Sequence, residues 1–392
     1  METTDGDAAA LLSELIAIDS SNPDLVPGAA GESAIADFVS AWLARRGFAV
    51  HRLESTPGRP SIVAVTTGTG GGRSLMLNGH LDTVTLAGFD GDPLEPVIRD
   101  GSMHGRGAFG MKSGLAAMMV AAAEAAQQPH AGDILLALVA DEEYGSAGTE
   151  EVLRYFTADA AIVTEPSHLE VTLAHRGFAW LTVTIDGVAA HGSRPDLGID
   201  AIAKAGYFLV EVDRGAQSLV GGPAHPVLGT GSVHASVISC GEELSSYPAR
   251  CTDAIERRTV PGENADTVEA ELRRMLDGIA GAQPDFRYRL ERGLERQPFQ
   301  VADTEPIVQA TLAAVERVTD RPAIRRGESF WTDCALLAEA GIPCLRFGAD
   351  GGGAHAANEW VTLESLETVT SVLHGVIIDY CGTSSLGITE AA

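Results

Sequence analysis

Basic residues are scarce in this chain. Its 392 residues include 27 lysines and arginines but 54 aspartates and glutamates, which gives a formal net charge of −27. A surface of this sign repels the phosphates of nucleic acids and of anionic lipids. The composition therefore argues against nucleic acid and anionic membranes as partners.

Long apolar runs are absent as well. Apolar residues make up 45% of the chain, enough for two domains with their own cores. No uninterrupted apolar stretch approaches the roughly 20 residues that a membrane-spanning helix needs. The acidic start, Met1-Glu2-Thr3-Thr4-Asp5, is not followed by an apolar segment of the signal-peptide kind. We therefore expect a cytoplasmic protein.

The sequence has no Cys-x-x-Cys pair. Its five cysteines are scattered: Cys240, Cys251, Cys334, Cys344 and Cys381. An odd number without clustering predicts reduced thiols in protein cores. A catalytic Cys334 with His355 as its base is an alternative, but it leaves the acidic motifs described next without a function.

Potential metal ligands are present throughout the chain, each just past an apolar run. The sets are His80 and Asp82 after 74–79, Asp141, Glu142 and Glu143 after 134–140, Glu165 after 160–164, and His355 in a glycine-rich loop after 344–347. In an α/β sheet, ligands bind at the carboxyl ends of the strands. Imidazole and carboxylate groups together suit zinc. The pattern therefore predicts a metallohydrolase.

The order of predicted elements indicates two domains. Strands and helices alternate before residue 179 and again after Pro298, which predicts an α/β domain with a mixed, largely parallel sheet flanked by helices. Between these parts, the order strand-helix-strand-strand-helix-strand predicts an α+β domain with a four-stranded sheet and two helices. We expect residues 1–178 and 295–392 to form a discontinuous catalytic, metal-binding domain. Residues 179–294 would be an inserted lid or dimerisation domain.

Two motifs carry the proposed chemistry. Adjacent carboxylates at Asp141-Glu142-Glu143 repel one another, so an ordinary surface gains little from them. In a metal site one of them coordinates while its neighbour takes a proton from the attacking water. At His80-Leu81-Asp82, the imidazole binds metal and the carboxylate orients the ring. The structural alternatives are a solvated acidic turn and a turn capped by Asp82.

Four further residues are ambiguous in isolation. Glu165, before a proline, can belong to a simple turn. His355 can be an exposed loop histidine, although nearby glycines allow the backbone to approach an ion closely. His191, in a turn before a predicted helix, can be a surface histidine. Arg258 can be a solvated strand arginine.

A nucleotide site is a third possibility. Residues 105–110 match the Gly-x-Gly-x-x-Gly pattern and precede a predicted helix. The dinucleotide fold also requires a buried strand before the pattern. Residues 99–104 instead predict a turn, so we keep dinucleotide binding only as an alternative.

Taken together, these segments resemble the di-zinc peptidase and deacylase family of acetylornithine deacetylase, succinyl-diaminopimelate desuccinylase, aminoacylase and the glutamate carboxypeptidases. The resemblance covers almost the whole chain. The matching segments are 79–84 (GHLDTV), 105–108 (GRGA) with Met111-Lys112, 141–146 (DEEYGS), 164–167 (TEPS), 191–195 (HGSRP), and Ala354-His355 with Asn358-Glu359.

The resemblance implies a role for each site residue. His80 and Glu165 would hold one zinc, and Glu143 and His355 the other. Glu142 would be the general base, with Asp82 to orient His80 and Asp333 to support the site. Arg258 would bind the substrate carboxylate, and His191 would stabilise the oxyanion, commonly in a partner subunit. It implies a homodimer that hydrolyses the amide bond of an N-acyl amino acid or small peptide with a free carboxylate. Zinc is the expected cofactor, with manganese or cobalt as alternatives.

The chain departs from the family at Gly110. The resemblance implies an aspartate there whose carboxylate bridges the two metals. Without it each ion keeps two protein ligands, fewer than the three typical of catalytic zinc, and the charge between the ions is lost. Three explanations remain open: an introduced inactivation, a natural variant with one metal or with His104 or water as a replacement ligand, and a binding protein without hydrolytic activity. We expect a hydrolase whose activity is reduced or mononuclear.

Overall fold

The computed structural model describes residues 7–382, so the acidic start at residues 1–5 lies outside the described part. The chain folds into two compact units. Within the described part, the first unit comprises residues 7–173, 301–326 and 332–382, and the second comprises residues 174–300 and 327–331. A separate lid or dimerisation role for residues 179–294 stays a prediction.

The helices and strands are numbered along the chain. They are α1 (Ala8–Ile16), α2 (Ser33–Ala44), β1 (Ala49–Leu53), β2 (Ser61–Thr66), β3 (Leu75–His80), β4 (Val97–Arg99), β5 (Ser102–His104), α3 (Ser113–Ala125), β6 (Ile134–Val139), α4 (Ala147–Val152), β7 (Ala160–Val163), β8 (Val171–His175), β9 (Gly177–Asp186), α5 (Ala201–Val220), β10 (Ser232–Cys240), β11 (Arg250–Thr259), α6 (Ala265–Ala282), β12 (Arg287–Arg296), β13 (Phe299–Gln300), α7 (Pro306–Thr319), β14 (Arg325–Glu328), α8 (Cys334–Glu339), β15 (Cys344–Arg346), β16 (Gly351–Gly352), β17 (Trp360–Thr362) and α9 (Leu363–Cys381).

The main sheet has a parallel centre and antiparallel flanks. Its strand order is β1-β2-β6-β3-β7-β15-β8-β13, with β14 paired to β8. The pairs β6–β3, β3–β7 and β7–β15 are parallel. Strands β3, β6 and β7 are buried along their whole length, which is why they read as continuous apolar runs. The predicted mixed α/β sheet is confirmed.

The helices of the first unit bury their small and apolar residues. Helix α3 is rich in alanine and methionine, is buried on almost all sides, and packs against α9. Helix α1 begins where the Asp7 side chain accepts the Ala9 N–H at 2.9 Å. None of the helices in residues 7–382 combines the length and apolar character of a membrane span.

A small antiparallel sheet has the order β16-β17-β5-β4. The prediction of a plain turn at residues 99–104 is therefore incomplete, because β4 and β5 form a hairpin around Asp100 and Gly101. The strands are only three residues long and partly exposed, so they carry little of the apolar alternation that sequence patterns detect.

The second unit has the predicted α+β fold. Its sheet has the order β10-β11-β9-β12 and is antiparallel throughout. Alternate residues of β9 and β11 are buried and form one core with the apolar residues of α5 and α6. Helix α6 begins with a capping box in which Asn264 and Thr267 each accept the other's backbone N–H.

The expectation of reduced cysteines is wrong for two of the five. Cys240 and Cys251 form a disulfide between β10 and β11. The two residues lie directly opposite each other in the antiparallel register, with their Cα atoms 4.3 Å apart. Only this register brings them together, and composition and spacing do not reveal it. Cys334, Cys344 and Cys381 are buried free thiols, as expected.

One buried carboxyl group interrupts the core of the second unit. Asp253 on β11 is 0% exposed, and neither of its carboxylate oxygens has a hydrogen-bond partner among the described residues. Its neighbours on the adjacent strands are Val183 and Ile238. Burial raises the pKa of Asp253 to about 6, because the charged form loses its hydration in apolar surroundings.

We expect the stability of the second unit to fall as pH rises from 4 to 6. Since the folded pKa of Asp253 lies above the unfolded value, the folded state binds more protons in this window. A shift of about two pKa units corresponds to about 3 kcal/mol. Asp253→Asn, which cannot ionise, should gain up to that amount relative to the wild type between pH 4 and 7.5. Guanidinium unfolding of both proteins at pH 4 and pH 7.5 measures their free energies of unfolding. If the difference between the two proteins is the same at both pH values, the prediction is wrong.

Candidate active site

The carboxyl ends of the parallel strands bring the acidic motifs together. His80 is the last residue of β3, Asp141 follows β6 by two residues, and Glu165 follows β7 by two residues. Gly79 lets the Met111 side chain pack closely against β3, because a Cβ at position 79 would lie only 2.6 Å from the Met111 Cε atom. The His80 backbone N–H donates to Met111 Sδ at 3.1 Å.

A histidine and two glutamates form a compact buried cluster. His80 Nε2 lies 3.4 Å from Glu165 Oε1 and 3.9 Å from Glu142 Oε2. One potential ligand atom from each residue lies within 4.8 Å of the others. Imidazole nitrogen and carboxylate oxygen atoms at this spacing suit a divalent metal ion such as zinc. The residues present thus fit a metal site.

The electrostatics of the cluster also suit a cation. Burial, reinforced by the charge of Glu165, raises the pKa of Glu142 well above its ordinary value. Burial disfavours the charged ring of His80, but hydrogen bonds with Asp82 and Glu165 outweigh it and raise the pKa of His80. Burial likewise opposes ionisation of Glu165, yet the His80 hydrogen bond lowers its pKa. Two carboxylates close to the His80 imidazole therefore favour an additional positive charge at this place.

The other predicted ligands form a second pair. His355 Nε2 lies 3.2 Å from Glu143 Oε2, and the His355 side chain is 59% exposed. The hydrogen bond to Glu143 raises the pKa of His355. His355 has a left-handed backbone, with φ at 62°. The structure therefore brings together His80 with Glu165, and Glu143 with His355.

Asp82 connects the histidine to the acidic loop. His80 Nδ1 lies 2.9 Å from the backbone carbonyl of Asp82 and 3.5 Å from its carboxylate. The carboxylate instead accepts the backbone N–H groups of Glu142 and Glu143, each at 3.1 Å. The carbonyl is thus the nearer partner of the ring, while the carboxylate holds the backbone of the predicted base.

Several residues around the site were not found from the sequence. They are Asn22, Glu32 and Arg59, which lie behind the acidic loop. Asn22 is fully buried, and its Nδ2 donates to Asp82 at 2.8 Å. No local pattern marks these residues, since they come from loops and a helix start far away in the chain.

Asp333 is buried and accepts a hydrogen bond from Thr149 Oγ1 at 2.6 Å. Burial raises the pKa of Asp333 to about 6. Its charge in turn contributes to the raised pKa of Glu142. Asp333 therefore lies close enough to affect the pKa of Glu142, and its supporting role stays a prediction.

Gly110 lies where the chain has room for a side chain. Its φ of −111° and ψ of 101° are open to any residue, and no atom lies within 4 Å of an added Cβ. The Gly110–Met111 peptide bond is cis. His104, considered above as a replacement ligand, pairs with Asn358 Oδ1 at 2.9 Å.

Glu359 fixes the loop that carries Gly110. The buried carboxylate accepts four hydrogen bonds of 3.0 Å, from Arg106 Nη1 and from the backbone N–H groups of Gly107, Phe109 and Gly110. The backbone donors that a Gly-x-Gly-x-x-Gly loop offers to phosphate are therefore occupied by an internal carboxylate. The hairpin before the loop is also antiparallel, so the structure does not support dinucleotide binding.

Two predicted residues lie in the second unit. His191 is exposed, and its Nδ1 lies 2.8 Å from Ser193 Oγ. Arg258 pairs with Glu256 at 2.9 Å, and its guanidinium lies 5.3 Å from the ring centre of Phe178. Their predicted roles toward a substrate stay predictions.

Comparison with known proteins decides the family. The model of peptidase family M20/M25/M40 matches residues 76–379, which include the acidic cluster and both units. The chain belongs to this family. The predicted family resemblance is confirmed, and this M20 protein is a hydrolase of the metallopeptidase and amidohydrolase type.

Curated relatives match over nearly their whole length. An acetylornithine deacetylase from Myxococcus xanthus is 29% identical, and the match covers 95% of this chain and 97% of the relative. An N-formyl-4-amino-5-aminomethyl-2-methylpyrimidine deformylase from Bacillus subtilis is 28% identical, with 91% of each chain covered.

Solved structures share the fold. Aminopeptidase PepT from Bacillus cereus has a TM-score of 0.78 at 18% identity, covering 95% of this chain and 98% of its own. The YXEP protein of Bacillus subtilis, a dinuclear metal-binding M20 peptidase, has a TM-score of 0.74 at 17% identity, covering 96% and 98%. Together with the His80 cluster, family membership supports a metal cofactor for this M20 protein.

We expect Glu359→Gln to destabilise the first unit by about 3 kcal/mol, because the neutral amide leaves the buried Arg106 guanidinium without its charged partner. Guanidinium unfolding at pH 7 measures the change. Glu367→Gln, at an exposed position of α9, is the matched control and should shift stability by less than about 0.5 kcal/mol. Equal unfolding curves for the two variants would contradict this account of the loop.

Proposed function

We propose that this M20 protein hydrolyses the amide bond of an N-acyl amino acid or small peptide with a free carboxylate. The observation that carries the proposal is the buried cluster of His80, Glu142 and Glu165, with Glu143 and His355 paired beside it. The relatives named for acetylornithine and for a formylated pyrimidine support cleavage of a small acyl group from nitrogen.

A bound divalent cation would polarise the substrate carbonyl as a Lewis acid. His80 and Glu165 would hold one ion, and Glu143 and His355 the other. We propose zinc, since the donors are imidazole nitrogens and carboxylate oxygens, with manganese or cobalt as alternatives.

Glu142 is the proposed general base. Burial raises its pKa, and a positioned carboxyl group can both accept and donate a proton. Glu142 would take a proton from the attacking water and later give it to the leaving nitrogen. Asp82 would hold both His80 and the Glu142 backbone in place.

The second unit would supply substrate contacts. Arg258 would bind the free carboxylate, and His191 would donate a hydrogen bond to the oxyanion, commonly in a partner subunit. The homodimer that this arrangement needs is supported by β10, an edge strand with exposed Val237 and Ile238. We further propose a cytoplasmic location, although disulfides such as Cys240–Cys251 are uncommon there.

We expect Glu142→Gln to lower kcat by roughly 10²- to 10⁴-fold, because the amide cannot accept the proton. Metal content should stay near that of the wild type, since His80, Glu165, Glu143 and His355 are unchanged. Steady-state kinetics with N-acetyl and N-succinyl amino acids, together with metal analysis of the purified protein, measure both quantities. Unchanged turnover would refute Glu142 as the base.

Gly110 limits this activity in our proposal. The family resemblance places a bridging carboxylate at this position, and the structure has open space there instead. Each proposed ion then keeps two protein ligands and loses the charge between them. We infer reduced or mononuclear activity; a protein that binds the same ligands without hydrolysing them is the alternative.

We expect Gly110→Asp to raise the number of tightly bound zinc ions from one to two per chain and to increase kcat. The backbone angles and open space at Gly110 admit the new side chain. Metal titration by calorimetry gives the stoichiometry without reference to activity. Gly110→Asn, which is similar in size but uncharged, is the control and should bind fewer ions. A wild type that already binds two ions and turns over rapidly would contradict the proposal.

A further inference from the structure

A buried ion-pair network lies behind the acidic loop. Arg59 forms two parallel hydrogen bonds with Glu32, from Nε at 2.7 Å and from Nη2 at 2.8 Å. Nη2 also donates to Asp141 Oδ1 at 2.9 Å. The Glu32 side chain is fully buried, and those of Arg59 and Asp141 are 9% exposed. An arginine in this geometry is held in both position and orientation.

The network continues through Asn22 to the backbone of the predicted base. Asn22 Nδ2 donates to Asp141 Oδ1 at 3.2 Å and to Asp82 Oδ2 at 2.8 Å. Asp82 in turn accepts the backbone N–H groups of Glu142 and Glu143. The acidic loop is thus held on one side by Asp82 and on the other by the Asp141 side chain.

Asp141 needs this support because of its backbone. Its φ of 69° lies in the left-handed region, which costs a residue with a side chain roughly 1 kcal/mol or more. The Asp141 N–H donates to Glu32 Oε1 at 3.3 Å. Its carbonyl accepts the N–H groups of Gly145 and Ser146 at 3.0 and 2.5 Å. The turn that orients Glu142 therefore depends on contacts made by Asp141.

The charges explain why an arginine is needed. Glu32 and Asp141 are two carboxylates that share the Arg59 guanidinium, and Asp24 pairs with the same group at its exposed side. Without the cation, the buried carboxylates repel each other, and breaking a buried pair is strongly destabilising. A lysine carries the charge but cannot span both acids with a planar fork.

We propose that Arg59 is a positioning residue for catalysis, which holds the left-handed turn at Asp141 and thereby the orientation of Glu142. The inference rests on the proposed function of Glu142 as base. Among the described residues, the hydrogen bonds of Arg59 go to Asp24, Glu32 and Asp141, so it would act on Glu142 through Asp141. Small displacements of a catalytic group by remote changes can reduce turnover by about 10²-fold.

The structure offers a route for a rescue experiment. A cavity of about 210 Å³ lies beside the network, and Asp24, Thr56, Arg59, Asp141 and Arg154 are among the residues that line it. Methylguanidinium, which reproduces the end of the arginine side chain, should enter the space left by Arg59→Ala and pair again with Glu32 and Asp141.

The experiment compares Arg59→Lys, Arg59→Ala and the control Arg154→Ala, which changes an arginine that lines the same cavity. We expect Arg59→Lys to lower kcat by about 10²-fold with little change in KM. Arg59→Ala should lose at least as much, and millimolar methylguanidinium should restore kcat at least tenfold. Arg154→Ala should retain wild-type kcat. All assays are run well below each variant's melting temperature.

Amide hydrogen exchange gives a readout that does not need activity. Faster exchange of the Glu142 and Glu143 amides in Arg59→Lys, together with unchanged exchange in Arg154→Ala, supports the proposal. This result does not depend on whether Arg59→Ala folds. If Arg59→Lys keeps wild-type kcat and exchange, the proposal is overturned. If the wild type hydrolyses no acyl amino acid but the exchange result holds, the proposed function fails while the positioning of the loop by Arg59 stands.

Discussion

The concentration of buried carboxylates at one edge of the sheet is the constraint on which the rest of the site depends. Asp82, Glu142 and Glu165 lie close to one another because parallel strands end at the same edge. Buried charges need partners, since the protein interior cannot replace their hydration. His80 supplies one partner, backbone N–H groups supply others, and a divalent cation would supply the remainder. The metal site and the fold are therefore parts of one electrostatic arrangement.

The same requirement shapes the surroundings of the cluster. Arg59 balances Glu32 and Asp141 behind the acidic loop, while Arg106 and three backbone N–H groups balance Glu359 beneath the Gly110 loop. In both places a buried acid determines a loop conformation through hydrogen bonds to backbone groups or through a shared arginine. Loops that carry catalytic side chains gain their precision from such supports, which lie outside the chemistry itself.

The sequence predicts the parts of this structure that follow from local pattern. Apolar runs locate β3, β6 and β7, and the acidic residues after them mark the site, because strand ends in a parallel sheet converge. The short strands β4 and β5 escape detection since three residues show no clear periodicity. Arg59 and the Cys240–Cys251 disulfide depend on contacts between segments distant in the chain or paired by register, which a single sequence does not specify.

Gly107 and Gly110 differ in whether the fold requires a glycine at the position. Gly107 has a left-handed φ of 79° and an added Cβ would lie 2.8 Å from Thr83 Cγ2, so the fold itself requires glycine there. Gly110 has ordinary backbone angles and an empty surrounding, so neither backbone strain nor crowding selects it. Its loop still keeps the conformation that Glu359 imposes. The fold therefore gives neither a steric nor a backbone reason for glycine at position 110, in contrast to position 107.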